Sequence, residues 1–261
     1  MYRYRIAPNL LATTLALIVS VTPYASVRAQ SAADAVAAGN KALEARDATQ
    51  ALQQYDKALA SDPKNYEALW RSAQTEVDLG EFDTNEEHRT SLFATAEQRA
   101  RLATQVAPAQ PDGHFALAKA LGRRALTLGV KDRIKYAKDI RTEALTCLKY
   151  DAHHAGCLHV MGVWNAEVMR LNGFSRMMAK TFLGGQVFGD ANWDEAQRYL
   201  VAAVTADPRR AVHRLDLGRV YADMGKKADA KAQFEAAVSA PLIDYNDPHY
   251  KAQAEEALKK L

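Results

Sequence analysis

Residues 48–63 read Ala-Thr-Gln-Ala-Leu-Gln-Gln-Tyr-Asp-Lys-Ala-Leu-Ala-Ser-Asp-Pro, and this phrase decides the fold. Ala51, Tyr55 and Ala58 stand at i, i+4 and i+7, on one face of a helix. The helix stops at Asp62-Pro63, because proline lacks the N–H and its ring clashes with a continuing helix. The phrase returns as Ala196, Leu200, Ala203 and Asp207-Pro208, and again as Ala230, Phe234 and Ala237 with Pro241 nearby. Ala100, Ala103 and Pro108 form a weaker copy, as do Ala144, Cys147 and Asp151. Small residues let neighbouring helices approach, and the large residue between them fills the gap.

A small–large–small helix closed by proline is the second helix of a tetratricopeptide-type pair. First helices precede it, with Gly39, Gly162 and Gly218 at the small position and Leu69, Met161 and Leu217 at large apolar ones. Gly80-Glu81-Phe82 and Gly225-Lys226-Lys227 read as turns within a pair. The repeat ends at Pro63, Pro108, Ala152, Pro208 and Leu242 are 45, 44, 56 and 34 residues apart, so only the last interval has the ordinary period. The extra residues fall near Asp83–Ser91, near Leu126–Arg133 and in Gly173–Ala191, and a short helix is expected in Gly173–Gly184. No stretch sustains strand-type alternation. The expected fold is therefore all-α, a right-handed superhelical array of divergent tetratricopeptide-like helix pairs. Residues 30–112 hold the N-terminal repeats, 113–246 the later ones, and 247–261 a Lys/Glu-rich capping helix for the open end.

The N-terminus has its own chemistry. Arg3 and Arg5 precede an apolar run from Leu10 to Val21, then Pro23 and Val27-Arg28-Ala29. This is the pattern of a signal peptide cleaved after Ala29, its apolar core too short to span a bilayer as a helix. The expectation is an exported body, in a bacterial periplasm, with an uncleaved N-terminal anchor as the other reading. The chain carries 34 Lys and Arg; without Arg3, Arg5 and Arg28 it carries 31, equal to its 31 Asp and Glu. A neutral body has no global field to collect phosphate backbones, so nucleic acid is not an expected partner.

From Gly113 onward the chain resembles a known family. The residues that carry the resemblance are Gly113-His114-Phe115-Ala116-Leu117-Ala118, Leu121-Gly122-Arg123, Lys131-Asp132-Arg133-Ile134-Lys135-Tyr136, His159-Val160-Met161-Gly162-Val163-Trp164-Asn165, Phe182-Leu183-Gly184-Gly185 and Asn192-Trp193-Asp194-Glu195-Ala196. Together they look like the regulator of microtubule dynamics family and its bacterial homologues. Val163 stands where that family usually has arginine. The resemblance implies a helical-repeat protein without known catalysis. Microtubule association belongs to eukaryotic members, and tubulin is not an expected partner of an exported chain.

The candidate sites are few. His153, His154, Cys157 and His159 have metal-ligand chemistry, and a small-ligand or metal-binding accessory protein using them is the alternative function. No acid or Cys-x-x-Cys spacing completes a site, so no metal and no cofactor are expected. Cys147 and Cys157 read either as two buried small residues or as a disulfide. Gly184-Gly185 lacks the context of a phosphate loop and reads as a turn; Asn192 reads as a helix cap. Arg209-Arg210 and Lys226-Lys227 read as exposed turn pairs. No catalytic constellation appears, and an enzyme is not expected. The leading function is a non-catalytic scaffold for a protein or peptide in the cell envelope. Its expected groove lies on the concave face, with Trp70 and Gln74, then Phe115, Lys119 and Arg123, then His159, then Arg219. Rings supply apolar area there, and Lys and Arg can hold a carboxylate.

Overall fold

The computed structural model describes residues 22–171 and 186–261. Its helices fold back on one another in pairs. α1 (Thr22–Glu44) packs on α2 (Ala48–Ser61), α3 (Tyr66–Glu81) on α4 (Glu86–Val106), and α5 (Pro111–Leu126) on α6 (Val130–Tyr150). α7 (Ala155–Arg170) packs on α9 (Trp193–Ala206), with the one-turn α8 (Gln186–Gly189) between them in sequence. α10 (Ala211–Asp223) packs on α11 (Lys227–Ser239), and α12 (Asp247–Lys259) follows. Consecutive first helices also touch, α3 with α5, α5 with α7 and α7 with α10, so they form the inner layer of the curve. The architecture is a right-handed superhelical array of tetratricopeptide-type pairs. None of the described residues forms a strand.

The second helices α2, α4, α6 and α9 end in the same way, and the sequence phrase explains why. The N–H groups of Asp62, Ala107, Asp151 and Asp207 turn back to the carbonyls of the small residues Ala58, Ala103, Cys147 and Ala203. Asp62, Asp151 and Asp207 then accept the backbone N–H two residues on, from Lys64, His153 and Arg209. The aspartate thus closes one helix and shapes the turn into the next. Helix starts are capped by Asp47, Asn65, Asn85, His154 and Asn192, each accepting the N–H three residues later.

Within pairs, a glycine of the first helix faces the large residue of the second. A Cβ on Gly39 would lie 2.5 Å from the Tyr55 ring, on Gly162 2.4 Å from Leu200, and on Gly218 2.5 Å from the Phe234 ring. Gly80, read from sequence as a turn, is the second-to-last residue of α3 and meets Phe93 in the same way. Tyr55, Leu200 and Phe234 are buried, and burial of such a side chain contributes about 1.5–3 kcal/mol.

The extra residues of the first two long intervals go mainly into helix. α4 and α6 have 21 residues each, against 14 in α2 and α9 and 13 in α11. Much of Gly173–Ala191, including Gly184-Gly185, lies outside the described residues, as does the apolar run Leu10–Val21. The expected processing point after Ala29 falls inside α1, and the first described core side chain is Ala32. No helix among the described residues is long and apolar enough to cross a membrane.

Cys147 at the end of α6 and Cys157 at the start of α7 form a disulfide, with Cα atoms 6.4 Å apart. Both are fully buried, so the two sequence readings of this pair, small core residues and bridge, describe the same place.

The close approach of glycine and ring sets the response to substitution. Gly218→Ala is expected to destabilise by about 1–3 kcal/mol despite the better helix propensity of alanine, because the added Cβ would lie 2.5 Å from the buried Phe234 ring. Gly122→Ala, whose Cβ would meet nothing within 4 Å, is expected to stabilise by up to about 1 kcal/mol. Urea unfolding of both variants checks the contrast, and equal effects would contradict it. Replacing Cys147 and Cys157 together by alanine is expected to cost about 2–3 kcal/mol, the loop-closure contribution of a short bridge. Dithiothreitol should then shift the unfolding midpoint of the parent protein but not that of the variant. Two titratable thiols in unfolded, unreduced protein would refute the bridge.

Candidate functional site

The inner layer is linked by polar side chains that reach from one first helix to the next. Between α1 and α3, Asn40 donates to Glu67 at 3.0 Å and accepts from the Tyr55 hydroxyl at 2.8 Å. Between α3 and α5, Lys119 donates to Asp78 at 2.5 Å, and Arg123 pairs with Glu81. Between α7 and α10, His159 Nε2 lies 2.8 Å from Asp216, and Arg170 pairs with Asp223 at 2.6 Å. From α10, Arg219 bonds Asp216 on its own helix and Gln253 on α12.

This changes the meaning of the residues read as a peptide groove. Lys119, Arg123, His159 and Arg219 do face the inner layer, but each is paired with a group of the fold. Phe115 is half-buried against the His154 ring and the backbone of Gly156, where a Cβ would lie 2.4 Å from it. Trp70 packs on the cluster around Leu117 and Leu121 and carries the Arg71 guanidinium 4.3 Å above its ring. Gln74 is half-buried on the same helix. The charges were legible as a column of inward cations; their acidic partners on the neighbouring helices were not.

The electrostatics follow from burial and pairing. Burial raises the Asp78 carboxyl to about 6, with Lys119 opposing the shift. Burial raises Glu76 to about 8, against the attraction of Arg99, which also binds Asp56 at 2.7 Å. Burial would raise Asp216 too, but His159 and Arg219 hold it well below the ordinary carboxylate value. His213 stacks on His159 with ring centroids 4.7 Å apart, and burial, with His159 and Arg210 nearby, pushes its pKa well down. Sequence reasoning missed His213, because nothing local marks it as the partner of His159.

The histidine and cysteine group separates. His153 lies in the exposed turn before α7, His154 caps α7 through Nδ1, and His159 is held by Asp216. Cys147, His154 and Cys157 bring ligand-type atoms within 4.8 Å of one another, but the two sulfurs are bonded to each other rather than presented as thiolates. Val163, the departure from the family pattern, is half-buried and packs on the cluster of Ala196, Leu200 and Val220. The two basic turn pairs are engaged: Arg210 pairs with Asp244 and Asp207, Arg209 with Asp207, and Lys226 and Lys227 donate to Gln197 and to the Leu261 carbonyl.

The C-terminal helix does more than cover an open end. Tyr250 and Ala254 are buried against α10 and α11. The N-terminal turn of α12 also reaches the second repeat pair: Asn246 donates to the Asp78 carbonyl at 2.8 Å, and Tyr250 donates to Glu81 at 2.8 Å. The Phe82 ring stacks on His249 at 4.3 Å and meets the Tyr250 edge at 5.6 Å. Residues about 170 positions apart thereby join, and the array closes on itself. Beside this junction lies a cleft of about 440 Å³ bounded by α2, the α3–α4 turn, α4 and the segment leading into α12.

Comparison with known proteins agrees with this architecture. A thermophilic tetratricopeptide protein from Thermus thermophilus superposes with a TM-score of 0.63 at 18% identity, covering 86% of this chain and 99% of that one. Regulator of microtubule dynamics protein 1 of Bos taurus is 24% identical over 212 residues, 80% of this chain and 65% of that protein. The Mus musculus protein of the same name is 24% identical over 197 residues, 75% of this chain and 64% of that protein. The matched region thus spans just under two thirds of the length of these relatives. The profile for regulator of microtubule dynamics protein 1-3 matches residues 31–261, nearly the whole described body, and the chain belongs to that family.

Proposed function

We propose that this chain is a non-catalytic scaffold that binds a protein or peptide, and that it works after export, in a bacterial cell envelope. The tetratricopeptide-type array carries the reading, because such stacks expose long, rigid, curved surfaces in place of an enclosed reaction site. The titratable groups brought together inside the array support it. Lys119 with Asp78, Arg123 with Glu81, and His159 with Asp216 and Arg219 are each matched as structural pairs, with no nucleophile beside a base. The metal or small-ligand alternative finds less support. Its four residues point to different duties, and its cysteine is bonded. The export reading rests on Arg3, Arg5, the Leu10–Val21 run and the Val27-Arg28-Ala29 junction. The relatives' name ties them to microtubules. An exported chain would not meet tubulin, and that activity is not carried over.

Two measurements test the reading. N-terminal sequencing of the protein expressed in a bacterium is expected to begin at Gln30 in the periplasmic fraction; an intact Met1 in the cytoplasm would refute export. Panning a displayed random-peptide library over the immobilised protein is expected to enrich a shared motif that binds reversibly and is released unchanged. Failure to enrich any motif, together with no specific cross-linked protein from an envelope fraction, would refute the scaffold.

A further inference from the structure

We propose that the cleft beside the α3–α12 junction is the peptide-binding site, and that it takes an extended segment carrying a lysine or arginine next to an apolar side chain. The inference rests on the scaffold reading above and names its ligand class. A cleft of about 440 Å³ lies within the size range of ligand pockets and accommodates a pair of side chains.

Its walls supply two kinds of recognition. Leu79 and the Phe82 ring, stacked face to face on His249, form an apolar side. Asp56 on α2 and Asp83 at the α3–α4 turn supply carboxylates. Asp56 is about half exposed while bound to Arg99 at 2.7 Å. Asp83 accepts the Asn85 N–H at 2.8 Å and pairs with His88, which keeps it ionised, with its carboxyl held below the ordinary value. The surroundings are acidic as well: Asp78, Glu81, Asp244 and Asp247 stand around the junction against Lys119, Arg123 and Arg210. A cationic side chain complements that field, and an anionic one does not.

Asn246 gives the independent sign of a ligand. It lines the cleft and is 1% exposed. Its Nδ2 is committed to the Asp78 carbonyl, which fixes the orientation of the amide. Its Oδ1 has no hydrogen-bond partner among the described residues. Buried acceptors are ordinarily paired, so this oxygen calls for a donor such as a peptide N–H. The inner face, by contrast, offers cations matched to the carboxylates of neighbouring helices, whereas the cleft combines open space with one unpartnered buried acceptor, Asn246 Oδ1.

The test uses the full chain and two probes: a fluorescein-labelled hexapeptide alternating lysine and leucine, and the same peptide with glutamate for lysine. Binding is followed by fluorescence polarisation, and folding of each variant by circular dichroism. The lysine peptide is expected to bind saturably and the glutamate peptide not to bind. Two variants separate charge from space. Asp56→Asn with Asp83→Asn removes the carboxylate charges while keeping hydrogen-bond acceptors. Thr49→Trp, at an exposed position on α2 lining the cleft, fills the space without touching the core. Each is expected to weaken binding about tenfold or more. Undiminished binding by both folded variants would overturn the cleft while leaving the scaffold reading intact. Preference for the glutamate peptide would overturn the ligand class. A dimer of the parent protein that dissociates on Thr49→Trp would make a second copy the occupant and overturn the peptide assignment. If neither probe binds, the cleft falls, and if library panning also enriches nothing and no envelope protein is cross-linked, the scaffold reading falls with it.

Discussion

The structure depends on how closely two helices of a pair can approach. Gly39 under Tyr55, Gly80 under Phe93, Gly162 under Leu200 and Gly218 under Phe234 each leave no room for a single methyl group. The contact recurs in four of the five pairs and sets the spacing of the two helices in each; in the third, Gly122 of α5 meets nothing within 4 Å. Close packing of this kind tolerates no compromise in volume: a void loses contacts, and an extra atom forces backbone movement.

Polar chemistry is then placed around this frame. The inner layer would bury charges if they stood alone, at a high desolvation cost. It limits this by setting cations opposite a carboxylate or amide of a neighbouring helix, as in Lys119 with Asp78, Arg123 with Glu81, and Arg219 with Gln253. Removing one member of such a pair is more disruptive than never having had it, because the remaining charge stays in place. The inner face of this array is thus a structural seam.

The consequence for function is a shift of attention from the middle of the curve to its closure. An open solenoid needs a polar cap because its last pair would otherwise expose an apolar face. Here α12 covers that face with Tyr250 and Ala254 and also ties Asn246 and Tyr250 to α3. The pairs between these points can no longer splay independently. The cleft lies beside the closure, where α2, the α3–α4 turn, α4 and the segment before α12 meet.

The sequence by itself determined the class of fold, the helix faces and the repeat ends, and its resemblance identified the family. These are local or periodic properties. A small–large–small phrase marks a buried helix face wherever it occurs, and an aspartate–proline end carries its own turn chemistry, as Asp62 and Asp207 show. Tertiary structure alone decided what the inward charges bind, since Asp78 and Lys119 are 41 residues apart and belong to different pairs. It alone assigned Gly80 to the end of a helix, where the approach of Phe93 requires it. It alone brought Asn246 to Asp78 across 168 residues. That closure depends on the summed rotation of every pair between those two residues, a quantity that no single segment encodes.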